Sequence, residues 1–201
     1  MPVELRKRKA PAEPAQQPAS KRRSSRSNAA ASNKKAKDKI KASTTSPKTL
    51  AVGETIDFDA FQDEITLQDG TPTSLKALVS ESNSGVVLFT YPRASTPGCT
   101  NQACLFRDNY ESLTSTGLSI YGLSTDSPKA NTNFQTKQKL PYPLLCDPAA
   151  KLIGAIGLKK MPKGTIRGVF AVDKTGKVLL IQPGSPAGTV DAVKKLVEGN
   201  S

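Results

Sequence analysis

The chain of 201 residues contains no histidine, no tryptophan and only three cysteines, Cys99, Cys104 and Cys146. The absence of histidine excludes Cys-His and Ser-His catalysis, together with zinc sites that need an imidazole ligand. Three cysteines are too few for a disulfide-stapled secreted domain, so a reducing compartment fits the chain best. Because none of them forms a C-x-x-C pair, they make a poor ligand set, and we expect no metal and no cofactor.

Long apolar segments are missing as well. The sequence has no run of 18 apolar residues, so we expect no membrane span. It also lacks the basic segment followed by an apolar stretch that marks a secretory signal. Membranes are therefore not expected among its partners.

Positive charge is concentrated at one end of the chain. Residues 1–49 carry 14 Lys or Arg against three acidic residues, a net charge of +11, whereas residues 50–201 carry a net charge of +1. The first segment is poor in large apolar side chains and cannot bury enough surface to offset its ordering entropy. We therefore expect a disordered basic tail at 1–49, followed by a folded domain at 50–201.

The basic residues of this tail are clustered. Residues 6–9 (RKRK) and 21–23 (KRR) are separated by 11 residues, which resembles a bipartite nuclear localisation signal. The clusters predict a nuclear protein with an import receptor as partner; a solvated charge run that keeps the chain soluble is the alternative. Contact of the tail with nucleic acid would be directed at phosphates and indifferent to sequence, because the tail has no interleaved aromatic side chains.

From residue 50 onward the pattern is that of a globular domain. Asp69-Gly70, between two short extended segments, predicts a β-hairpin, and the apolar run 86–91 predicts a strand buried on both faces. The remaining pattern predicts helices at 97–114, 127–138, 149–156 and 190–197, strands at 118–124, 168–172 and 178–182, and an extended segment at 142–146. This order predicts an α/β sandwich of mixed strand direction, similar to a thioredoxin-like fold with an N-terminal β-hairpin extension.

The stretch that carries chemistry is 91–104, YPRASTPGCTNQAC, which follows the buried strand and opens a helix. Thr96 suits the N-cap and Pro97 the first helical position. Cys99 then lies in the first turn, where unpaired backbone N–H groups and the helix dipole favour an anion. We therefore expect Cys99 to be held as a thiolate, the form that attacks electrophiles.

Pro92, Thr96 and Cys99 reproduce the P-x-x-x-T-x-x-C signature of peroxiredoxins. With Cys104 five residues further on, the longer motif resembles the peroxiredoxin Q or bacterioferritin comigratory protein group, and the resemblance runs over residues 50–198. The basic tail is similar to the fungal nuclear thiol peroxidase branch of that group. The resemblance implies a monomeric thiol-dependent peroxidase that reduces hydrogen peroxide and organic hydroperoxides, with a role in antioxidant defence in the nucleus.

The resemblance also implies roles for single residues. Cys99 would be the peroxidatic cysteine, which attacks one peroxide oxygen and becomes a sulfenic acid. Thr96 and the backbone N–H of Cys99 would hold the peroxide, with Pro92 shielding the pocket and Gly98 lining it. Arg167 would stabilise the thiolate and the charge that develops on the oxygens. The Thr96 hydroxyl is expected to hydrogen-bond the sulfur or the peroxide.

Cys104 would be the resolving cysteine, which forms an intramolecular disulfide with Cys99 that thioredoxin reduces. Five residues along a helix correspond to a rise of about 7.5 Å, whereas a disulfide needs Cα atoms less than about 7 Å apart. The first turns of the helix must therefore unwind during resolution. Alternatively, Cys104 is a buried apolar residue that only packs in the core. We interpret Cys146 as a packed thiol, and Arg107 is a weaker candidate than Arg167 for the activating cation.

Two other functions are compatible with parts of the sequence. A chromatin-associated redox sensor or binding module without significant turnover would explain the tail, but it would leave Pro92, Thr96 and Cys99 unexplained. A general disulfide oxidoreductase would require C-x-x-C, and the chain has C-x-x-x-x-C instead. The enzyme hypothesis is therefore preferred.

Overall fold

The computed structural model describes residues 50–58 and 65–199. The predicted disordered tail and its localisation signal lie outside the described residues. The strands are β1 (Ile65–Leu67), β2 (Pro72–Thr73), β3 (Gly85–Thr90), β4 (Leu118–Ser124), β5 (Leu144–Cys146), β6 (Gly168–Asp173) and β7 (Val178–Pro183). The helices are α1 (Leu75–Glu81), α2 (Pro97–Asp108), α3 (Tyr110–Thr114), α4 (Pro128–Gln138), α5 (Lys151–Ala155) and α6 (Pro186–Gly199).

The described strands form a mixed sheet in the order β2-β1-β5-β4-β3-β6-β7. β3, β4 and β5 are parallel neighbours, and helices α2, α3 and α4 connect them. β6 and β7 extend the sheet by antiparallel pairing on one side, and β1 and β2 do so on the other. This arrangement confirms the predicted α/β sandwich.

The core lies on both faces of this sheet. Along β3, Val87 and Phe89 belong to one apolar cluster, whereas Val86 and Leu88 belong to the other. This alternation follows from the two-residue period of a strand. The first cluster is closed by buried side chains of α2, α3, α4 and α6, and the second by those of α1 and α5. The run 86–91 is therefore buried on both faces, as predicted.

The predicted helix at 97–114 is wrong in one respect, because it is divided at Asn109. The Asn109 side-chain amide donates to the carbonyl of Leu105 at 2.8 Å, and the backbone there leaves the helical region. An asparagine side chain that bonds to the preceding turn competes with continuation of the helix. α2 and α3 are consequently separate helices.

Other boundaries also differ from the sequence prediction. The helix predicted at 190–197 begins earlier, at Pro186, where the Ser185 hydroxyl accepts from the N–H of Gly188 at 3.1 Å. Helix α1 was not predicted, although Ser74 caps it by accepting from the Ala77 N–H. The helices predicted at 127–138 and 149–156 are shorter, and the extended segment at 142–146 is a strand only over its last three residues. Within 50–58 and 65–199, no helix has the length and apolarity needed to cross a membrane.

Candidate active site

Strand register brings distant segments together at one end of the sheet. Thr90, the last residue of β3, is paired with Leu123 of β4 on one side and with Gly168 of β6 on the other. The loop 91–96 that follows β3 therefore lies beside the end of β4 and beside Arg167, the residue before β6. A pairing between strands, and not proximity in sequence, places this arginine next to the start of α2.

The loop itself is held by a carboxylate. The backbone N–H of Ala94 donates to Oδ2 of Asp126 at 2.7 Å, and Ser95 adopts a left-handed conformation with φ of 61°. Asp126 lies two residues after the end of β4, and no role was predicted for it. Pro92 is exposed at the surface of the loop, so its shielding role stays a prediction.

Cys99 lies in the first turn of α2, as predicted, with Pro97 at the start of the helix. The turn is closed by the N–H of Thr100, which donates to the carbonyl of Thr96 at 2.8 Å. The cysteine is only 1% exposed and belongs to the core cluster beneath the helix. Its sulfur nevertheless has a cation in contact, because Nη2 of Arg167 donates to Sγ at 3.4 Å.

Arg167 is fixed by further contacts with the same helix. Its Nη1 donates to the carbonyl of Gly98 at 3.1 Å and to Oε1 of Gln102 at 2.7 Å. Because Gln102 is neutral, the guanidinium keeps its positive charge for the sulfur. A side chain at position 98 would place its Cβ 3.1 Å from Nη2, so glycine leaves the space that the guanidinium occupies.

Gln102 was not predicted as a site residue. It is fully buried, and its Nε2 donates to Oγ1 of Thr189, whose hydroxyl in turn donates to the carbonyl of Pro186. This chain of bonds orients the amide so that its oxygen faces Arg167. The sequence does contain one indication of this role. Gln102 follows Cys99 by three residues, and this spacing places both side chains on one face of a helix.

The prediction for Thr96 needs a correction. Thr96 is the N-cap residue by its backbone, but its side chain makes no capping hydrogen bond. The hydroxyl instead donates to the carbonyl of Arg93 at 3.0 Å. A hydroxyl has one hydrogen and two acceptor lone pairs, so Thr96 has no hydrogen left for the Cys99 sulfur and faces its surroundings as an acceptor.

Cys104 is half-buried on another side of α2. Its S–H donates to Oε1 of Gln138 at 3.7 Å, and Arg107 donates to the backbone carbonyl of the same residue at 2.7 Å. Arg107 also pairs with Asp108 at 2.8 Å. These contacts direct Arg107 toward α4, so it is not the cation beside Cys99. Both cysteines are free thiols within one intact helix.

Cys146 is fully buried in β5, which agrees with its interpretation as a packed thiol. Its sulfur accepts from Nδ2 of Asn131 at 3.2 Å. Burial raises the pKa of the Cys146 thiol above its ordinary value of 9.0, so it stays protonated and is a poor nucleophile. In the described part of the chain, no group of three or more Cys, Asp or Glu side chains is arranged to hold a metal ion.

Comparison with known proteins agrees with this geometry. The model of the AhpC/TSA family matches residues 54–181. Over 135 residues, the chain is 41% identical to Peroxiredoxin bcp1 of Schizosaccharomyces pombe, covering 66% of this chain and 69% of that protein. It is 36% identical to the chloroplastic Peroxiredoxin Q of Sedum lineare, covering 65% and 71% of the two chains.

Solved structures show the same relationship. Peroxidoxin BcpB of Mycobacterium tuberculosis superposes with a TM-score of 0.67 at 31% identity, covering 75% of this chain and 97% of that one. The bacterioferritin comigratory protein of Xanthomonas campestris, described for its alkyl peroxide reduction activity, gives 0.66 at 30% identity, with 75% and 98% coverage. These matches confirm the thioredoxin-like fold. The chain therefore belongs to the AhpC/TSA family, as a peroxiredoxin of the bacterioferritin comigratory protein and peroxiredoxin Q group of thiol-dependent peroxidases.

Proposed function

We propose that this peroxiredoxin reduces hydrogen peroxide and organic hydroperoxides with Cys99 as the nucleophile. The observation that carries the proposal is the contact of 3.4 Å between Nη2 of Arg167 and Sγ of Cys99 in the first turn of α2. The thiolate attacks one peroxide oxygen, so that an S–O bond forms while the O–O bond breaks. The leaving hydroxide or alkoxide takes a proton and departs as water or alcohol, and Cys99 is left as a sulfenic acid.

The residues around the sulfur supply complementary contacts for a peroxide. The backbone N–H of Cys99 lies among the first N–H groups of the helix, which have no intrahelical acceptor, and it donates to the peroxide. Arg167 offers further N–H groups to the oxygens as charge develops. Thr96 accepts a hydrogen bond from the O–H of the peroxide, while Gly98 and Pro92 line its approach.

Access to the sulfur requires a small movement. Cys99 is 1% exposed, whereas Pro92, Arg93 and Ser95 of the neighbouring loop are exposed. We infer that the peroxide enters from the side of this loop, since the opposite side of Cys99 is packed against the core.

Resolution requires Cys104 and a local opening of α2. The second half of the helix is anchored, because Ala103 and Phe106 are fully buried and Tyr142 donates to the carbonyl of Ala103 at 2.7 Å. The first turn contains Pro97-Gly98 and has no side-chain cap. Unwinding this turn therefore costs less free energy than unwinding the second half of the helix. Cys99 then moves to Cys104, whose thiolate attacks the sulfenic sulfur. The S–S bond forms, the S–O bond breaks, and hydroxide leaves as water after taking a proton.

Replacing Cys104 by serine tests this step. The Cys104→Ser variant should consume its first equivalent of peroxide at the wild-type rate, because Cys99 and Arg167 are untouched. Repeated turnover with thioredoxin, its reductase and NADPH should be lost, and mass spectrometry should show sulfinic acid at Cys99. Cys146→Ser is the matched control and should turn over normally. Normal multiple turnover of Cys104→Ser would reject the resolving role.

We also propose a nuclear location, which rests on the two basic clusters of the tail and on its net charge of +11. Fusion of residues 1–45 to a cytosolic reporter should concentrate the reporter in nuclei. A fusion in which residues 21–23 are alanine should concentrate less, because a bipartite signal needs both clusters. A reporter that stays evenly distributed with the intact tail would remove this proposal. The function proposed is therefore antioxidant defence in the nucleus, and the Cys99 site favours peroxide turnover over passive binding to chromatin.

A further inference from the structure

The loop that leads into Arg167 carries an unusual concentration of positive charge. Residues 148–172 contain five Lys or Arg and no acidic residue, whereas the remainder of residues 50–201 has a net charge of −4. The near-neutral domain is therefore electrically asymmetric. The positive segment contains Arg167, whose guanidinium contacts the Cys99 sulfur.

Residues 158–166, here named the basic loop, form a small hairpin held by backbone hydrogen bonds. The N–H of Ile166 donates to the carbonyl of Leu158 at 2.7 Å, and the N–H of Lys160 donates to that of Gly164 at 3.0 Å. Lys160 and Lys163 are exposed on this frame. Within the described residues, their ammonium groups have no carboxylate partner. The loop thus presents two exposed ammonium groups on an ordered backbone, and no carboxylate of the described residues neutralises them.

The basic loop is also where the domain exposes apolar side chains. Three large hydrophobic side chains are exposed among the described residues, and two of them, Met161 at 77% and Ile166 at 36%, belong to this loop; the other is Val52. An exposed methionine is enriched at protein interfaces, where apolar contacts in the centre are surrounded by a polar rim.

Cavities flank the basic loop. One of about 400 Å³ is bordered by Lys163 and Pro162, and the other, of about 610 Å³, is bordered by Met161. Lys159 borders both. The Thr90 hydroxyl fastens the end of the loop to β3 by donating to the carbonyl of Ile166. A partner seated here would contact the residue next to Arg167.

We propose that the basic loop is the docking surface for the dithiol protein that reduces the Cys99–Cys104 disulfide. The partner surface it fits has acidic residues around an apolar spot beside the partner's reactive sulfur. Opposite charges would steer the two proteins together, and Met161 would enter the apolar spot. Phosphates of a nucleic acid could pair with the lysines, but they would leave Met161 and Ile166 without an apolar partner.

The reaction at this surface is a thiol–disulfide exchange. One thiolate of the partner attacks a sulfur of the disulfide, so that an intermolecular S–S bond forms and the Cys99–Cys104 bond breaks. The second thiol of the partner, as its thiolate, then attacks the mixed disulfide. Cys99 and Cys104 are reduced to thiols, the partner is oxidised to a disulfide, and two electrons are transferred. The proposal rests on the proposed function, because it requires this disulfide.

Charge reversal in the full chain tests the docking surface. Lys160→Glu with Lys163→Glu should lower kcat/KM for thioredoxin about ten- to a hundredfold and flatten its dependence on salt, because steering is lost. Lys129→Glu with Lys195→Glu, which reverses the same charge on exposed lysines of α4 and α6, should lower it much less. Met161→Ser should also lower kcat/KM for thioredoxin several-fold, roughly as expected for loss of one apolar contact. The rates with hydrogen peroxide, and of disulfide reduction by dithiothreitol, should be unchanged in all variants.

Two outcomes would overturn the proposal, and they are distinguishable. If oxidised wild-type protein contains no Cys99–Cys104 disulfide, the proposed resolution step fails and the docking proposal fails with it. If the disulfide forms and dithiothreitol reduces it normally, but kcat/KM for thioredoxin is equal in the Lys160/Lys163 variant and its control, only the docking proposal is wrong. Loss of duplex DNA binding by that variant, with thioredoxin unaffected, would identify a nucleic-acid surface instead.

Discussion

Replacing Cys99 by serine should abolish peroxide reduction, lowering the second-order rate with hydrogen peroxide by more than about a thousandfold. A serine hydroxyl stays protonated in the field of Arg167 and does not displace an oxygen from a peroxide. The two remaining cysteines cannot substitute. Cys146 is fully buried and stays protonated, and no arginine among the described residues donates to the sulfur of Cys104. The rate should be measured by stopped-flow consumption of peroxide under single-turnover conditions.

The matched comparison is Cys146→Ser, which removes one thiol and leaves the Cys99 site intact. It should react at the wild-type rate. If Cys99→Ser retained peroxide consumption while Cys146→Ser lost it, the nucleophile would be misassigned. Retention by both variants would mean that the activity does not depend on either of these thiols.

Removal of the Arg167 guanidinium should have the second largest effect. Arg167→Ala deletes the donor to the Cys99 sulfur and those offered to the peroxide oxygens, and loss of one such donor typically costs about a hundred- to a thousandfold. The second-order rate constant is measured by stopped flow with hydrogen peroxide in excess of enzyme.

Arg107→Ala provides the control for Arg167, since this second arginine of the region binds Asp108 and the carbonyl of Gln138 instead of Cys99. It should leave the rate of the first step unchanged. Arg167→Lys should restore part of the lost rate, because the positive charge returns while the forked geometry of the guanidinium does not. Equal effects of Arg107→Ala and Arg167→Ala on the rate with hydrogen peroxide would contradict the assignment of Arg167.

Much of the fold was predictable because its signals are local. The run 86–91 is apolar at every position except Thr90, and a strand with both faces covered has this composition. Asp69-Gly70 marks the turn between β1 and β2. Helix α1 was missed although Leu75, Leu78 and Val79 have helical spacing, because seven residues give too short a periodic pattern. The break at Asn109 depends on a side-chain bond that spacing does not encode.

The site was predictable where one short motif contains the chemistry. Cys99 follows from its place after Pro97 at a helix start. Arg167 was identified by resemblance, and the physical reason for its position is the pairing of Thr90 with Gly168, which sequence periodicity does not reveal. The support of Gln102 by Thr189 joins residues 87 positions apart. Such a contact exists only after α2 and α6 pack together.

Mapping the first oxidised atom tests the central claim most directly. One equivalent of hydrogen peroxide is added to the Cys104→Ser variant in the presence of dimedone, which traps sulfenic acids, and peptides are analysed by mass spectrometry. The account predicts one adduct, on Cys99, in near-stoichiometric yield. Adducts on Cys146, or consumption of the peroxide without any adduct on Cys99, would contradict it.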